Sequence, residues 1–216
     1  MIRLALVRPD EADEAFEWHL AFAARHRAIY PRKEPQFRQF VDEGWVWAAR
    51  IETNEIVGMA YAVLDGPDWE LGGLMVREDY RKNRGLGSLL MRVALGHMLF
   101  EQDPLHAAPP TNVITHVLHG NDDPRTIIER RLGFAHRHPV SIHGSILEGL
   151  PTCDHGFVHG DEYILEFPRA LPLLEEWATN WTGTLRDGEP AQIKFRRGVN
   201  LPAWREAFAE WAKELA

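Results

Sequence analysis

Val76-Arg77-Glu78-Asp79-Tyr80-Arg81-Lys82-Asn83-Arg84-Gly85-Leu86-Gly87-Ser88-Leu89-Leu90 is the stretch whose reading decides the fold. It continues an apolar run, Trp69–Val76, that reads as a strand. It leads into Leu86, Leu89, Leu90, Val93, Ala94, His97 and Met98, which share one face at helical spacing. A strand therefore feeds a basic, glycine-containing loop that opens a helix. Such a loop has a chemical use. The first N–H groups of a helix have no intrahelical partner, and with the helix dipole they form an anion site. Gly85 and Gly87 let the backbone approach a bulky pyrophosphate, and Arg81, Lys82 and Arg84 add positive charge around it. The same spacing also fits a tight strand-to-helix turn with solvated arginines.

Working outward, Ile2–Val7 reads as a strand, with Arg8-Pro9-Asp10 turning into a helix from Glu11 to about Ile29. Tyr30–Pro35 breaks that pattern, and a short helix is expected over Phe37–Asp42. Trp45–Ile51 and Ile56–Leu64 flank the polar turn Glu52-Thr53-Asn54-Glu55 and read as an antiparallel hairpin. Beyond the basic loop, Val113–Leu118 is a strand, and a helix follows with Asp123 as N-cap, Pro124 at its first position and Gly133 past its end. Two more strands are expected between Pro139 and Phe167. The composition shifts at Pro168–Pro172. The remaining chain holds Trp177, Trp181, Trp204 and Trp211, and Trp204, Phe208 and Trp211 form one helical stripe. The stripe fits a helix docked on the main domain, or a partner or dimerisation surface that would make a homodimer possible.

The 216 residues are 45% hydrophobic and 26% charged, which fits a soluble globular chain and excludes disordered, collagen-like and coiled-coil classes. One cysteine, Cys153, excludes an internal disulfide and a Cys-based zinc cluster. A reducing cytoplasm fits. The net charge of −8 argues against a nucleic-acid surface and is compatible with a cationic substrate such as an amine. No run approaches the ~20 apolar residues of a membrane span. MIRLALVRPDEADE has one short apolar run followed by acids, unlike a signal peptide.

The frame Lys82-Asn83-Arg84-Gly85-Leu86-Gly87, set between a strand and a helix, resembles the central motif of the GNAT superfamily of acyl-CoA-dependent N-acyltransferases. The usual Arg three residues before the first Gly is Lys82 here, with Arg81 displaced by one. A second block, Val113–Leu118, Asn121, Pro124–Leu132 and Gly133-Phe134, resembles the family's later segment. The resemblance covers about Ile2 to Phe167. It implies a mixed α/β fold: a twisted sheet flanked by helices and splayed between its fourth and fifth strands, Trp69–Val76 and Val113–Leu118. The Trp-rich residues 168–216 would be a C-terminal helical extension packed on a catalytic domain of residues 1–167.

The resemblance further implies acetyl-CoA as co-substrate, held in the splayed cleft. Leu74, Met75 and Val76 would pair through their backbone with the pantetheine amides, as an added strand does. A backbone N–H there would polarise the thioester carbonyl. Arg81, Lys82, Asn83, Arg84, Gly85, Leu86, Gly87 and Ser88 would cradle the phosphates, with Asn121 a further contact. The implied reaction is direct acetyl transfer to a small-molecule or peptide amine. Another acyl group, or acyl-CoA binding without catalysis, stays open.

An alkyl amine is mostly protonated at neutral pH, so a base is useful. Glu70, on the strand before the loop, is the first candidate, placed by period two on the face of Gly72, Leu74 and Val76. His116 and His119, late on the next strand, are the others, each also readable as an ordinary structural histidine. Where the family often has a tyrosine acid this chain has Glu129. His155 and His159 have a metal-compatible spacing, but Pro151, Gly156 and Gly160 argue for a loop, and no metal is expected.

Overall fold

A computed structural model describes residues 1–81, 85–102, 112–121, 123–185 and 191–214. The strands are β1 (Ile2–Leu6), β2 (Val46–Arg50), β3 (Ile56–Asp65), β4 (Asp68–Val76), β5 (Val113–Leu118), β6 (Phe134–His143), β7 (Phe157–Leu165), β8 (Thr184–Leu185) and β9 (Ala191–Phe195). The helices are α1 (Ala12–Ala23), α2 (Glu34–Asp42), α3 (Leu86–His97), α4 (Asp123–Arg131), α5 (Phe167–Asn180) and α6 (Leu201–Glu214). The strands form one mixed sheet in the order β6-β7-β5-β4-β3-β2-β1-β9-β8. Among the described residues two neighbouring pairs are parallel, β4 with β5 and β1 with β9.

Each face of the sheet buries its own core. One core joins Trp69, Leu71 and Val76 of β4 to Leu86, Leu90 and Val93 of α3, Leu174 of α5 and Trp204 of α6. The other joins Met75 of β4 and Tyr61 of β3 to Ala15 of α1 and Phe37 and Phe40 of α2. No helix among the described residues is long and apolar enough to cross a membrane.

The structure corrects several boundaries. α1 ends at Ala23 rather than near Ile29, because Arg25-His26-Arg27 offers no apolar face and Pro31 disfavours helix at the residue before it. α2 begins at Glu34, earlier than expected, with Pro35 in its first turn where a missing N–H is harmless. The Trp stripe is consumed within the chain: Trp204 and Phe208 are fully buried and Trp211 nearly so. The segment after α5 also carries two strands that its sequence did not announce. β9 lies parallel to β1, pairing Ile2 with Ile193 and Leu4 with Phe195.

One correction bears on chemistry. Between β3 and β4 the register runs Met59↔Met75 and Tyr61↔Gly72, so Gly73 and Leu74 together oppose the single residue Ala60. This is a β-bulge, with Gly73 in the left-handed region at φ 58°. A Cβ at Gly73 would lie 2.0 Å from the Tyr61 ring, so the position admits no side chain. The extra residue reverses the alternation. Trp69 and Leu71 before the bulge, and Leu74 and Val76 after it, face the α3 core. Glu70 and Met75 face the other way, towards α1 and α2. Glu70 therefore does not share a face with Leu74 and Val76, as strict alternation had it.

Candidate active site

β4 and β5 pair at two positions, Trp69 with Val113 and Glu70 with Ile114, although the strands run on to Val76 and Leu118. Past those pairs a cleft of about 980 Å³ opens, walled by Leu74 and Val76 of β4, Leu118, His119 and Asn121 at the end of β5, and Gly85, Gly87 and Ser88 of α3. Gly85 is the N-cap of α3, left-handed at φ 68°. A Cβ on Gly87 would meet Ile127, Leu74 and Val76 at 3.4 to 3.7 Å, ordinary contact, so the position accepts a methyl group. The helix N-terminus thus opens onto the cleft, as an anion site requires.

Arg81 lines the same cleft, but its guanidinium is engaged. Nε donates to the Val76 carbonyl at 2.7 Å, Nη2 lies 3.1 Å from Nε2 of His26, and the group stacks 5.5 Å from the Phe22 ring centre. Arg81 ties the end of β4 to α1 while keeping its charge at the cleft wall. Burial and the neighbouring Arg81 charge hold His26 below the usual histidine range. Arg25, Arg27 and Arg131 are further cations of this wall that the sequence did not single out. The side chains of Met75 and Leu86 are buried away from the cleft, leaving them only their backbone. Lys82, Asn83 and Arg84 lie outside the described residues.

Glu70 and His116 are brought together where β4 and β5 still pair, on the face of α1 and α2, and neither is among the residues that line the cleft. His116 Nδ1 is 3.0 Å from Glu70 Oε1, and its Nε2 is 3.3 Å from Glu162 Oε2. Glu162 stands opposite His116 in the β5–β7 register. A carboxylate only accepts, so both contacts are hydrogen bonds at once when both ring nitrogens carry protons. The hydrogen bond and charge of Glu70, aided by Glu162, overcome desolvation and raise the His116 pKa above the usual histidine value. Burial pushes Glu70 upward, but His116 and Arg32 outweigh it and hold the carboxyl below its usual range.

Two partners missed from the sequence complete this cluster. Arg32, in the connection after α1, places Nη2 3.8 Å from Glu70 Oε2 and donates from Nε to the Tyr61 hydroxyl at 3.3 Å. Its backbone N–H donates to Nε2 of the fully buried His19 at 3.1 Å. Arg137 of β6 donates to Glu162 at 3.0 Å. No local pattern announces such partners, because each comes from an element distant in sequence.

His119 stands apart from that cluster. It is half exposed in the cleft wall, its Nε2 3.8 Å from Asp161 and its ring 6.2 Å from that of His159. Cys153, a free thiol, also lines the cleft. Glu129 lies outside the lining, its carbonyl accepting from Arg169. Among the described residues no group of three or more His, Cys, Asp or Glu side chains is placed to hold a metal ion.

The sheet is mixed and parted between two parallel strands, with a glycine-capped helix opening onto the gap. Residues 7–108 match the model described as the Acetyltransferase (GNAT) family. No curated protein matches the sequence. Among solved structures the chain is similar to Arabidopsis thaliana NAA60 in complex with a bisubstrate analogue, at 16% identity and TM-score 0.55, over 76% of this chain and 97% of that one. It is similar to a phosphinothricin acetyltransferase from Sinorhizobium meliloti in complex with AcCoA, at 15% identity and TM-score 0.56, over 74% and 85%. The ribosomal-protein-S18-alanine N-acetyltransferase from Escherichia coli is also similar, at 17% identity and TM-score 0.50, over 76% and 93%. At these identities the likeness is one of fold.

Proposed function

We propose that this chain is an acetyl-CoA-dependent N-acetyltransferase that passes an acetyl group directly to a small-molecule or peptide amine in the cytoplasm. Residues 1–167 would form the catalytic domain and residues 168–216 an extension packed on it. The observation that carries this reading is the parting of β4 and β5 beside the N-terminus of α3. The residues present fit the co-substrate. The unpaired edge from Leu74 to Val76 suits the amides of an extended pantetheine arm. The N–H groups following Gly85, with Arg81 and Arg131 nearby, suit its phosphates. When bound, acetyl-CoA supplies the activated thioester acyl group.

The chain's own part is to align the two reactants and to move one proton. Alignment alone is worth several kcal/mol of barrier, about 7–11 in well-oriented cases. The amine, with a pKa near ~10.4 if it resembles lysine, must lose its proton before attack. His116 is the better acceptor of the paired groups. Its pKa is raised by the neighbouring carboxylates, which makes the neutral ring a stronger base, whereas the Glu70 carboxyl is held below its usual range. In its neutral form His116 takes the amine proton, and Glu70 and Glu162 then hold the imidazolium from both sides. Glu70, the first candidate from the sequence, becomes the group that orients and charges His116. A second reading gives the proton to His119, because His119 lines the cleft itself.

The test is turnover of acetyl-CoA against a panel of amines, with free CoA measured as thiol. Acetylated amine appearing with stoichiometric CoA supports the reading. CoA binding without acetyl transfer to any amine would leave a binding protein on the same fold.

A further inference from the structure

We propose that the protein has a second ligand site, for a small organic dianion, at the opposite end of the sheet from the acyl cleft. A cavity of about 730 Å³ lies there, within the size range of small-molecule sites. Five arginines line it, Arg3, Arg8, Arg50, Arg196 and Arg197. Three carboxylates, Asp10, Glu11 and Glu14, pair with members of this group, leaving two positive charges in excess. In a chain of net charge −8 such a concentration is not a by-product of composition.

Arg50 is the anchor. Its side chain is 9% exposed, and its Nη1 is used twice, on Glu14 Oε1 at 2.8 Å and on the Asn54 carbonyl at 2.9 Å. Its Nη2 is buried with no hydrogen-bond partner. A buried guanidinium nitrogen without an acceptor is costly, and an oxyanion in the cavity supplies the acceptor. Arg3 is held over the same space by Asn54 Oδ1 at 2.9 Å. Arg196 and Arg197 are exposed and, among the described residues, their side chains have no ionic partner. Guanidinium forks match carboxylate and phosphate oxygens in pairs, so the recognised chemistry is a doubly charged oxyanion. Ala5, Ala48 and Phe195 give the cavity an apolar wall, which suits a ligand with an apolar body beside its charges.

The topology agrees. In open α/β sheets ligands sit outside the carboxyl ends of parallel strands. The sheet has two parallel neighbouring pairs among the described residues, and each carries a cavity at that end. For β4 and β5 it is the acyl cleft. For β1 and β9 it is this one, which runs along β1 from Arg3 and Arg50 to Leu6-Val7-Arg8 and Phe195-Arg196-Arg197, where the two strands finish.

The probe is phenyl phosphate, followed by titration calorimetry and by melting temperature at fixed ionic strength. Wild-type protein is expected to bind it saturably and to melt higher, with sodium chloride and benzyl alcohol giving no comparable shift. The double substitution Arg196→Glu and Arg197→Glu alters exposed side chains only, and it should raise the Kd at least about tenfold, which corresponds to 1.4 kcal/mol. Arg50→Met should also weaken binding, read only if the variant melts cooperatively. Gly87→Glu, at the other site, should leave phenyl phosphate binding intact. Wild-type stabilisation no greater than that of matched salt overturns the proposal. So does equal binding by the doubly substituted protein, or loss of binding in Gly87→Glu alone, which would put the anion in the acyl cleft.

Discussion

Glu70 Oε1 lies 3.0 Å from Nδ1 of His116, across the two strands at the point where they stop pairing. The contact charges the ring and fixes its orientation, so each residue should leave a separate mark on the pH profile. If neutral His116 is the base, activity falls as pH drops through its raised pKa, because the protonated ring accepts nothing. His116→Ala should lower kcat by roughly 10²–10⁴, the usual worth of general base catalysis. Glu70→Gln removes the largest influence raising that pKa, so the acid limb of kcat should move to lower pH while the rate also drops. The KM for acetyl-CoA should stay close to wild type. An acid limb that does not move in Glu70→Gln would detach the carboxylate from the histidine's titration. A larger loss in His119→Ala than in either variant would hand the proton to the cleft wall.

Gly87 separates steric from electrostatic demands of the proposed phosphate loop. The contacts at 3.4 to 3.7 Å around a Cβ there are ordinary, so Gly87→Ala should fold and still gain melting temperature with CoA. Gly87→Glu puts bulk and negative charge at the helix N-terminus and should abolish the CoA-induced shift, since only a ligand bound to the native state raises it. Melting curves of both variants with and without CoA decide the point. A full CoA shift in a folded Gly87→Glu protein would move the phosphates elsewhere.

His19 predicts an acid weakness. It is fully buried, and desolvation together with the Arg32 charge lowers its pKa from 6.5 to about 4. The unfolded state therefore binds a proton that the folded state refuses. Stability from this group is complete above the unfolded pKa and is lost as pH falls from about 6.5 to about 4. A shift of that size is worth about 3 kcal/mol. Urea unfolding of His19→Gln should show a shallower loss over that window than wild type. Identical slopes would mean that other groups carry the acid sensitivity.

The parts of the fold legible in the sequence are those written in neighbouring residues. The strand Val113–Leu118 has the expected bounds, and the loop-to-helix transition at Gly85 is where its glycines and apolar spacing put it. The Trp stripe of α6 read correctly as a buried face, because three aromatic residues at helical spacing need no partner to be recognised. The orientation of Glu70 was not legible. Period two predicts its face only on an unbroken strand, and Gly73 inserts a residue whose sole local sign is a second glycine after Gly72. Nor were the partners of His116 legible. Glu70 and Glu162 each lie 46 residues away along the chain, and only the strand register sets them against the ring. β8 and β9 were hidden for another reason: two and five residues long, they carry too short an alternation to stand out.

Trp204 of α6 sits on Gly96 of α3 so closely that a Cβ on the glycine would lie 2.8 Å from the indole ring. The ring is fully buried and stacks on Phe100 with centroids 6.1 Å apart. α6 is therefore packed onto the helix whose other end opens onto the cleft between β4 and β5. Trp204→Ala empties a large part of that contact and should cost about 3–5 kcal/mol, the range for a buried tryptophan. At about 2–4 °C per kcal/mol for a chain of this size, the melting temperature should fall by roughly 10 °C. Gly96→Ala tests the same contact from the opposite side. It overpacks the contact rather than emptying it and should cost about 1–3 kcal/mol. Deleting the chain after Phe167 goes further, because it strips β9 from β1 and leaves an unpaired edge beside an uncovered apolar face. That truncation should aggregate on purification, as judged by size-exclusion chromatography. A truncated protein that runs as a monomer and melts like wild type would show the extension to be an appendage, and Trp204→Ala should then be silent too.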